Sequence, residues 1–332
     1  CKWAVEHGYG WKEDLLFCEE NGSIGNAKPE AVSAKARERG KEQIGSLGSG
    51  NHYLELQVIR ENDVINKDIA AKFGIFGNNQ IVCMIHCGSR GFGHQIATDY
   101  LDQFISVMKS KYHIDVPDRE LACAPFYSKE GQAYFHAMNC AINIAFLNRQ
   151  IIFHIVRDVL CQVFKKTPEE LGIRLIYDVC HNTAKIEQYE INGKIKKLLV
   201  HRKGATRAFV KGMQGIPELY KDIGQPVLVG GSMQSASYML IGGELAKDSF
   251  YSTVHGSGRV MSRQQAKKRF KGRELADKME KEGITVRTRS FSGLAEEAGE
   301  AYKNIDDVID AISKAGLSIP VVRMIPIGSI KG

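Results

Sequence analysis

The spacing of apolar and polar positions changes several times along this chain, and each change marks an element. Residues 52–60 (HYLELQVIR) alternate apolar with polar, the two-residue period of a half-buried strand. Residues 81–86 (IVCMIH) form a short apolar run that stops at glycines, which predicts a second strand. After Gly93 the period lengthens to that of a helix (HQIATDYLDQFISVMKSKY). The longest helix is expected over 129–165, where Phe135, Met138, Ile142, Phe146 and Ile151 recur at helical spacing. Residues 173–180 (IRLIYDVC) and 196–201 (KKLLVH) read as strands of a hairpin that turns at Asn192-Gly193. Asparagine and glycine accept the positive φ that a tight reversal needs. Further strands are expected at 226–229 and 319–325, and helices at 261–282, which is basic, and at 305–315. Residues 1–43 read as polar and helical, with a break near 21–26. Strands and helices mix without a regular βαβ period. The expected class is therefore α+β (mixed α/β), with mixed sheets flanked by helices in one domain over 1–332 rather than two.

Composition narrows this picture only a little. With 332 residues, 43% of them apolar, the chain can bury a sizeable core. Its 33 glycines against 8 prolines argue for tight turns and close backbone approaches, not for a disordered linker. No apolar run reaches the ~18 residues of a membrane span, and no signal peptide is recognisable, so a cytoplasmic protein without membrane contact is expected. The eight cysteines include no CxxC pair and read as reduced, mostly buried thiols. A net charge of +7 suits a polyanionic partner, although many soluble enzymes share it. The first residue is Cys1, within a helix-like stretch, and a fragment without an N-terminal segment is expected.

Candidate chemistry gathers at strand ends. His52, His86, His181 and His255 each stand where an apolar segment meets a small polar or glycine-rich turn. Imidazole is a good ligand for manganese or zinc, and three of them make a partial shell, but their separations match no local motif such as HExxH. A histidine of this kind standing alone is more commonly structural. Strand alternation would place Asp178 and His181 on opposite faces and Cys180 in the core. Glycine-rich turns at Gly45–Gly50, Gly88–Gly93, Gly230–Ser232 and Gly256–Gly258 are either phosphate cradles or plain turns, and none has the P-loop or Rossmann spacing. Basic residues stand close by: Arg90 in the His86 loop, the segment HRKGATR at 201–207, and Arg259, Arg263, Lys267, Lys268, Arg269, Lys271 and Arg273 after His255. They suit a phosphodiester backbone, or a solvated helix face.

The segments GSLGSGNHYLE (45–55), HCGSRGFGHQI (86–96), YDVCHNTAK (177–185), HRKGATRAF (201–209), HGSGRVMSR (255–263) and the terminal IGSIKG resemble the RtcB RNA-splicing ligases, in order and over essentially the whole chain. The resemblance implies a GTP- and Mn2+-dependent RNA ligase. Such an enzyme joins a 3'-phosphate or 2',3'-cyclic phosphate end to a 5'-hydroxyl end through a guanylylated histidine, in tRNA splicing or RNA repair. Its partners would be RNA ends such as tRNA halves, GTP and two Mn2+ ions, with room for a protein activator.

By the same resemblance His255 is the nucleophile, and His52, His86 and His181 bind metal. Guanylate contacts map to Asn51, His52, Tyr53, Leu54, Glu55, His181, Asn182, Gly230, Gly231, Ser232, Met233, Ser237, His255, Gly256, Ser257, Gly258 and Lys331. Arg90, Arg259 and Arg263 are the candidates for RNA contact. Two departures stand out. The family's upstream Asp-x-x-Cys metal element has no counterpart in this sequence, which leaves a shell of three histidines. Gln234 occupies a position where the family has glycine, and its side chain either crowds the nucleotide or points outward. The same residues would also serve a metal-dependent phosphodiesterase of RNA ends, or a non-catalytic RNA-binding remnant.

Overall fold

Helical periodicity dominates one part of the chain and strand alternation the other, and backbone contacts separate the two accordingly. The computed structural model describes all 332 residues. One unit comprises Cys1–Leu15, Asn21–Ser46 and Cys87–Arg174, and the other Leu16–Glu20, Leu47–His86 and Leu175–Gly332.

The first unit is helical. Its longest helix, Lys129–Phe164, starts where the Ser128 side chain accepts the Gly131 N–H, and stops at Lys165, which turns left-handed. Phe92, Ile96, Tyr100 and Phe104 lie along one stripe of the helix Arg90–Val107 and pack with Val32, Ala36, Ala137 and Cys140. A buried ion pair braces the unit: Arg157 donates to Asp14 at 2.6 and 2.7 Å, with its guanidinium 3.9 Å from the Trp11 ring centre. No helix of the protein is long and apolar enough to cross a membrane.

The second unit holds every strand. These are β1 (Tyr53–Ile59), β2 (Gln80–His86), β3 (Asn182–Ile191), β4 (Lys194–Lys203), β5 (Ala205–Arg207), β6 (Pro226–Val229), β7 (Ser237–Gly242), β8 (Ser252–Val254), β9 (Thr285–Thr288) and β10 (Ser318–Lys331). The main sheet runs β2-β1-β10-β7-β6, antiparallel throughout, and β9 adds to β10 in parallel. β7 is buried on both faces. Met239 and Ile241 join a core with Ile59, Phe73, Tyr220 and Val321. Tyr238 and Leu240 meet Ile305, Ile309 and Ile312 of the helix Ile305–Lys314 on the other side.

The mixed class, the long helix and the strands at 52–60, 81–86 and 226–229 agree with expectation. Five elements differ. The hairpin forms, with Asn192 and Gly193 at φ 52° and 72°, but its first strand is Asn182–Ile191 and not 173–180. Residues 173–180 are apolar because Tyr177 fills a core. Their backbone bridges only to the 17–19 segment, where Asp178 N–H donates to the Phe17 carbonyl at 3.0 Å. The basic helix at 261–282 is two helices, Arg263–Arg269 and Gly272–Lys281, broken at Phe270-Lys271. Residues 1–43 are helical only at Lys2–Glu6 and Ala34–Lys41, apart from short 3-10 turns. Strand β10 runs on past residue 325 to Lys331, and β7 had no distinct signal in the sequence.

Candidate active site

Four histidines from four strand ends converge. His52 precedes β1, His86 closes β2, His181 precedes β3 and His255 follows β8. Antiparallel pairing sets Tyr53 opposite His86, which aligns the ends of β1 and β2. The His86 and His181 Nε2 atoms are 3.3 Å apart. The His181 and His255 rings stack at 4.4 Å, and the His86 ring lies 6.2 Å from His255 and 5.9 Å from His52. Ligating atoms of His86, His181 and His255 all fall within 4.8 Å of one another, while His52 stands just outside that group.

Burial pushes the His86 pKa well below its usual value, and the nearby His181, His52, His255 and Lys331 push it further down. His255 is lowered by burial and then by Lys203, against a hydrogen bond with its own backbone. These imidazoles are thus neutral near pH 7, with lone pairs available as ligands or nucleophiles. Half-buried and close together, this donor set fits an imidazole-binding divalent cation.

Beside the histidines lies a cavity with walls of glycine and polar side chains. Two turns build one side. Gly230 N–H donates to the His255 carbonyl and Ser257 N–H to the Gly230 carbonyl, both at 3.1 Å, which ties the turn after β6 to the turn after β8. A methyl group on Gly231 would lie 2.0 Å from the Ala236 carbonyl oxygen, and one on Gly230 would lie 2.5 Å from the Tyr53 hydroxyl. Backbone comes closer here than any side chain allows.

The opposite side comes from β1 and β10. Tyr53 and Glu55 share one face of β1, and Lys331 closes β10 with its ammonium 5.3 Å from the Tyr53 ring centre. Burial raises the Glu55 carboxyl to about 7, opposed by Lys331 and by hydrogen bonds from Gln57 and Ser329. Burial lowers the Lys331 ammonium, which Glu297 and Glu55 partly offset.

Most of the residues named from sequence meet at this cavity. Its wall includes Asn51, Tyr53, Glu55, Gly230, Gly231, Ser232, Met233, His255, Gly256, Ser257, Gly258 and Lys331, together with His86, Arg259 and Arg263. His181 stacks on His255, and His52 stands beside His86. The others lie elsewhere. Leu54 is on the far face of β1, because successive strand residues point opposite ways. Ser237 sits behind the glycine turn, its hydroxyl accepting from Gly231 N–H at 3.3 Å and Gln57 Nε2 at 3.1 Å. Asn182 is at the root of the β3–β4 hairpin, where its Oδ1 accepts the Gly204 N–H. Arg90 belongs to the helical unit, where its Nε donates to Ser46 Oγ at 3.2 Å. Gln234 turns away from the cavity and accepts the Gly299 N–H at 3.1 Å.

Arg259 is held rather than free. It donates to the Glu296 carbonyl at 2.6 Å, the Met261 carbonyl at 3.0 Å and the Tyr302 hydroxyl at 3.0 Å. Glu297 and Tyr302 line the cavity too, the tyrosine hydroxyl donating to the carboxylate, and sequence reasoning missed both. They lie in a polar stretch, EEAGEAY, without any periodic or motif signal.

Histidines gathered from the ends of four strands in three sheets, over a glycine-walled cavity with cationic side chains, make this a protein built around one histidine-centred polar site. The family model for tRNA-splicing ligase RtcB matches residues 1–332, and the chain belongs to that family. It is 52% identical over 332 residues to a "tRNA-splicing ligase RtcB" of Archaeoglobus fulgidus, with all of this chain and 68% of the relative covered. A Pyrococcus abyssi protein of the same name is 50% identical over 332 residues, all of this chain and 36% of the relative. An Entamoeba histolytica "RNA-splicing ligase RtcB homolog 1" is 48% identical over 332 residues, all of this chain and 62% of the relative. The chain thus spans between about one third and two thirds of the length of these relatives.

Proposed function

We propose that this chain carries the guanylyl-transfer centre of a GTP- and Mn2+-dependent RNA ligase, with His255 as the nucleophile. The observation that supports it best is the packing of His86, His181 and His255 against one another at the edge of the glycine-walled cavity. His86 and His181, with His52 adjoining, would hold Mn2+, which neutralises phosphate charge and aligns the attacking and leaving groups.

His255 attacks the α-phosphorus of GTP, forming an N–P bond as the bond to pyrophosphate breaks. Burial keeps its imidazole uncharged, so a lone pair is available at neutral pH. The Gly256–Gly258 turn and Lys331 line the cavity where phosphate charge would lie. Glu55, at the cavity wall, is placed to accept from N–H groups of a base. An RNA 3'-phosphate oxygen then takes the guanylyl group, which breaks the N–P bond and restores the imidazole. The 5'-hydroxyl oxygen of a second end attacks the 3'-phosphorus, GMP departs, and the hydroxyl proton passes to solvent.

The test is incubation of the protein with α-labelled GTP and Mn2+, followed by RNA carrying 3'-phosphate and 5'-hydroxyl ends. Acid-labile label on the protein, absent from a folded His255→Ala variant, and joined RNA are expected. A protein that binds Mn2+ and GTP yet takes up no label refutes the proposal.

A further inference from the structure

The β3–β4 hairpin stands outside the main sheet as a separate two-stranded ribbon. One of its faces is packed: Lys185 pairs with Glu19 at 2.8 Å, Arg202 with Glu187 at 2.7 Å, and Tyr189 is buried. The other face carries the cross-strand pairs Asn182–Lys203, Ala184–His201, Ile186–Leu199, Gln188–Lys197 and Glu190–Ile195. Apart from the buried Ala184 and the half-buried Leu199, this face is open to solvent. Ile186 and Ile195 are 49% and 68% exposed, and Lys197, His201 and Lys203 are exposed.

We propose that this outer face is a track for the RNA strand that ends in the 3'-phosphate, leading from Lys203 beside His255 past Ile186 and Leu199 to Lys197. The proposal rests on the ligase reading above. Three observations carry it. First, the track begins at the nucleophile. The Gly204 backbone adjoins His255, so that an added methyl there would lie 3.7 Å from His255 Nε2, and Asn182 at the hairpin root accepts the Gly204 N–H. Second, the cations on the open face are uncommitted. Lys185 and Arg202 on the packed face are bound to carboxylates, whereas Lys197 and Lys203 form no ion pair. Third, the apolar pair Ile186–Leu199 lies between these cations, where a base could cover it.

Lys203 and Lys197 are about 20 Å apart along an extended strand, a length that a few nucleotides of single-stranded RNA can follow. Cations to track the backbone, with apolar surface for bases between them, are the usual means of holding a single strand without reading its sequence.

The experiment uses the whole chain and a short RNA with a 3'-phosphate and 4-thiouridine near that end, crosslinked by light and mapped by mass spectrometry. Crosslinks within residues 182–203 are expected. In parallel, fluorescence anisotropy compares Lys197→Glu and Ile186→Ser with the parent across a salt series. Lys197→Glu should weaken binding about 5-fold near 0.1 M salt and flatten the log–log salt slope by ~0.7, the signature of one lost single-strand phosphate contact. Ile186→Ser should weaken binding by a similar factor at every salt concentration with the slope unchanged, since a neutral contact releases no counterions. Crosslinks that map outside the hairpin, or parent-like binding by both variants, overturn the track. Label transfer to His255 is measured on the same samples and should be unchanged in both variants. Failure of the parent to take up label rejects the ligase reading instead, while the crosslink still decides whether RNA lies on this face.

Discussion

Replacing Glu19 by glutamine keeps the shape of the side chain and removes its charge from the interior. Glu19 is fully buried. Its Oε1 accepts from Lys185 Nζ at 2.8 Å and meets Arg207 Nε at 3.2 Å, and its Oε2 accepts the Cys180 N–H at 3.0 Å. Burial alone would raise the carboxyl's pKa. The charges of Lys185 and Arg207, followed by the hydrogen bonds, outweigh burial and hold it at about 2 against an ordinary 4.5. A difference of that size is worth roughly 3 kcal/mol, at the lower end of the ~3–5 kcal/mol expected when one partner of a buried pair is removed. The folded carboxylate binds a proton more weakly than the unfolded one. Its stabilisation is therefore complete above pH 4.5 and is lost as pH falls from there towards 2. Thermal unfolding of parent and Glu19→Gln proteins from neutral to acid pH reads this directly. A melting temperature lower by on the order of 5–10 °C is expected for the variant at neutral pH, with the gap closing through that acid window. A gap of about 1 °C or less, or one that ignores pH, refutes the reasoning.

Three further substitutions test the site. Gly231→Ala puts a methyl group 2.0 Å from the Ala236 carbonyl oxygen. The turn must move, and label transfer to His255 should fall roughly 100-fold, as measured under single-turnover conditions. Gln234→Gly removes the acceptor for the Gly299 N–H. It should cost about 1 kcal/mol in thermal stability and leave label transfer unchanged, because the side chain points away from the cavity. Arg259→Lys cannot serve the Glu296 and Met261 carbonyls and the Tyr302 hydroxyl together. A loss of about 2 kcal/mol is expected, and unfolding that matches the parent would show that this guanidinium does not hold the cavity wall.

Elements whose signal is local were legible in the sequence. The 36-residue helix Lys129–Phe164 repeats its apolar positions many times over, and Asn192-Gly193 marks a tight turn wherever it occurs between strands. The first hairpin strand was misplaced because NTAKIEQYEI is polar, whereas the apolar IRLIYDVC before it serves a core and not a ladder. Strand β7 escaped notice because burial on both faces erases alternation. At the site, composition and periodicity marked strand ends with histidine and glycine, but they could not bring His86 within reach of His181, ninety-five positions later. Only the family resemblance joined those positions. Even so it did not separate Leu54 from Tyr53 and Glu55, which strand geometry does at once. Glu297 and Tyr302 gave no signal, since their role depends on Arg259 lying across from them.

Strand β10 lies between β1 and β7 and also receives β9, and it ends on Lys331 at the cavity. During synthesis β1 and β2 leave the ribosome well before β10 exists, by roughly 10–50 s at ordinary elongation rates. Throughout that interval β1 lacks its partner on one side and offers an open edge to other nascent chains. The cavity cannot close until β10 has been made and docks against β1.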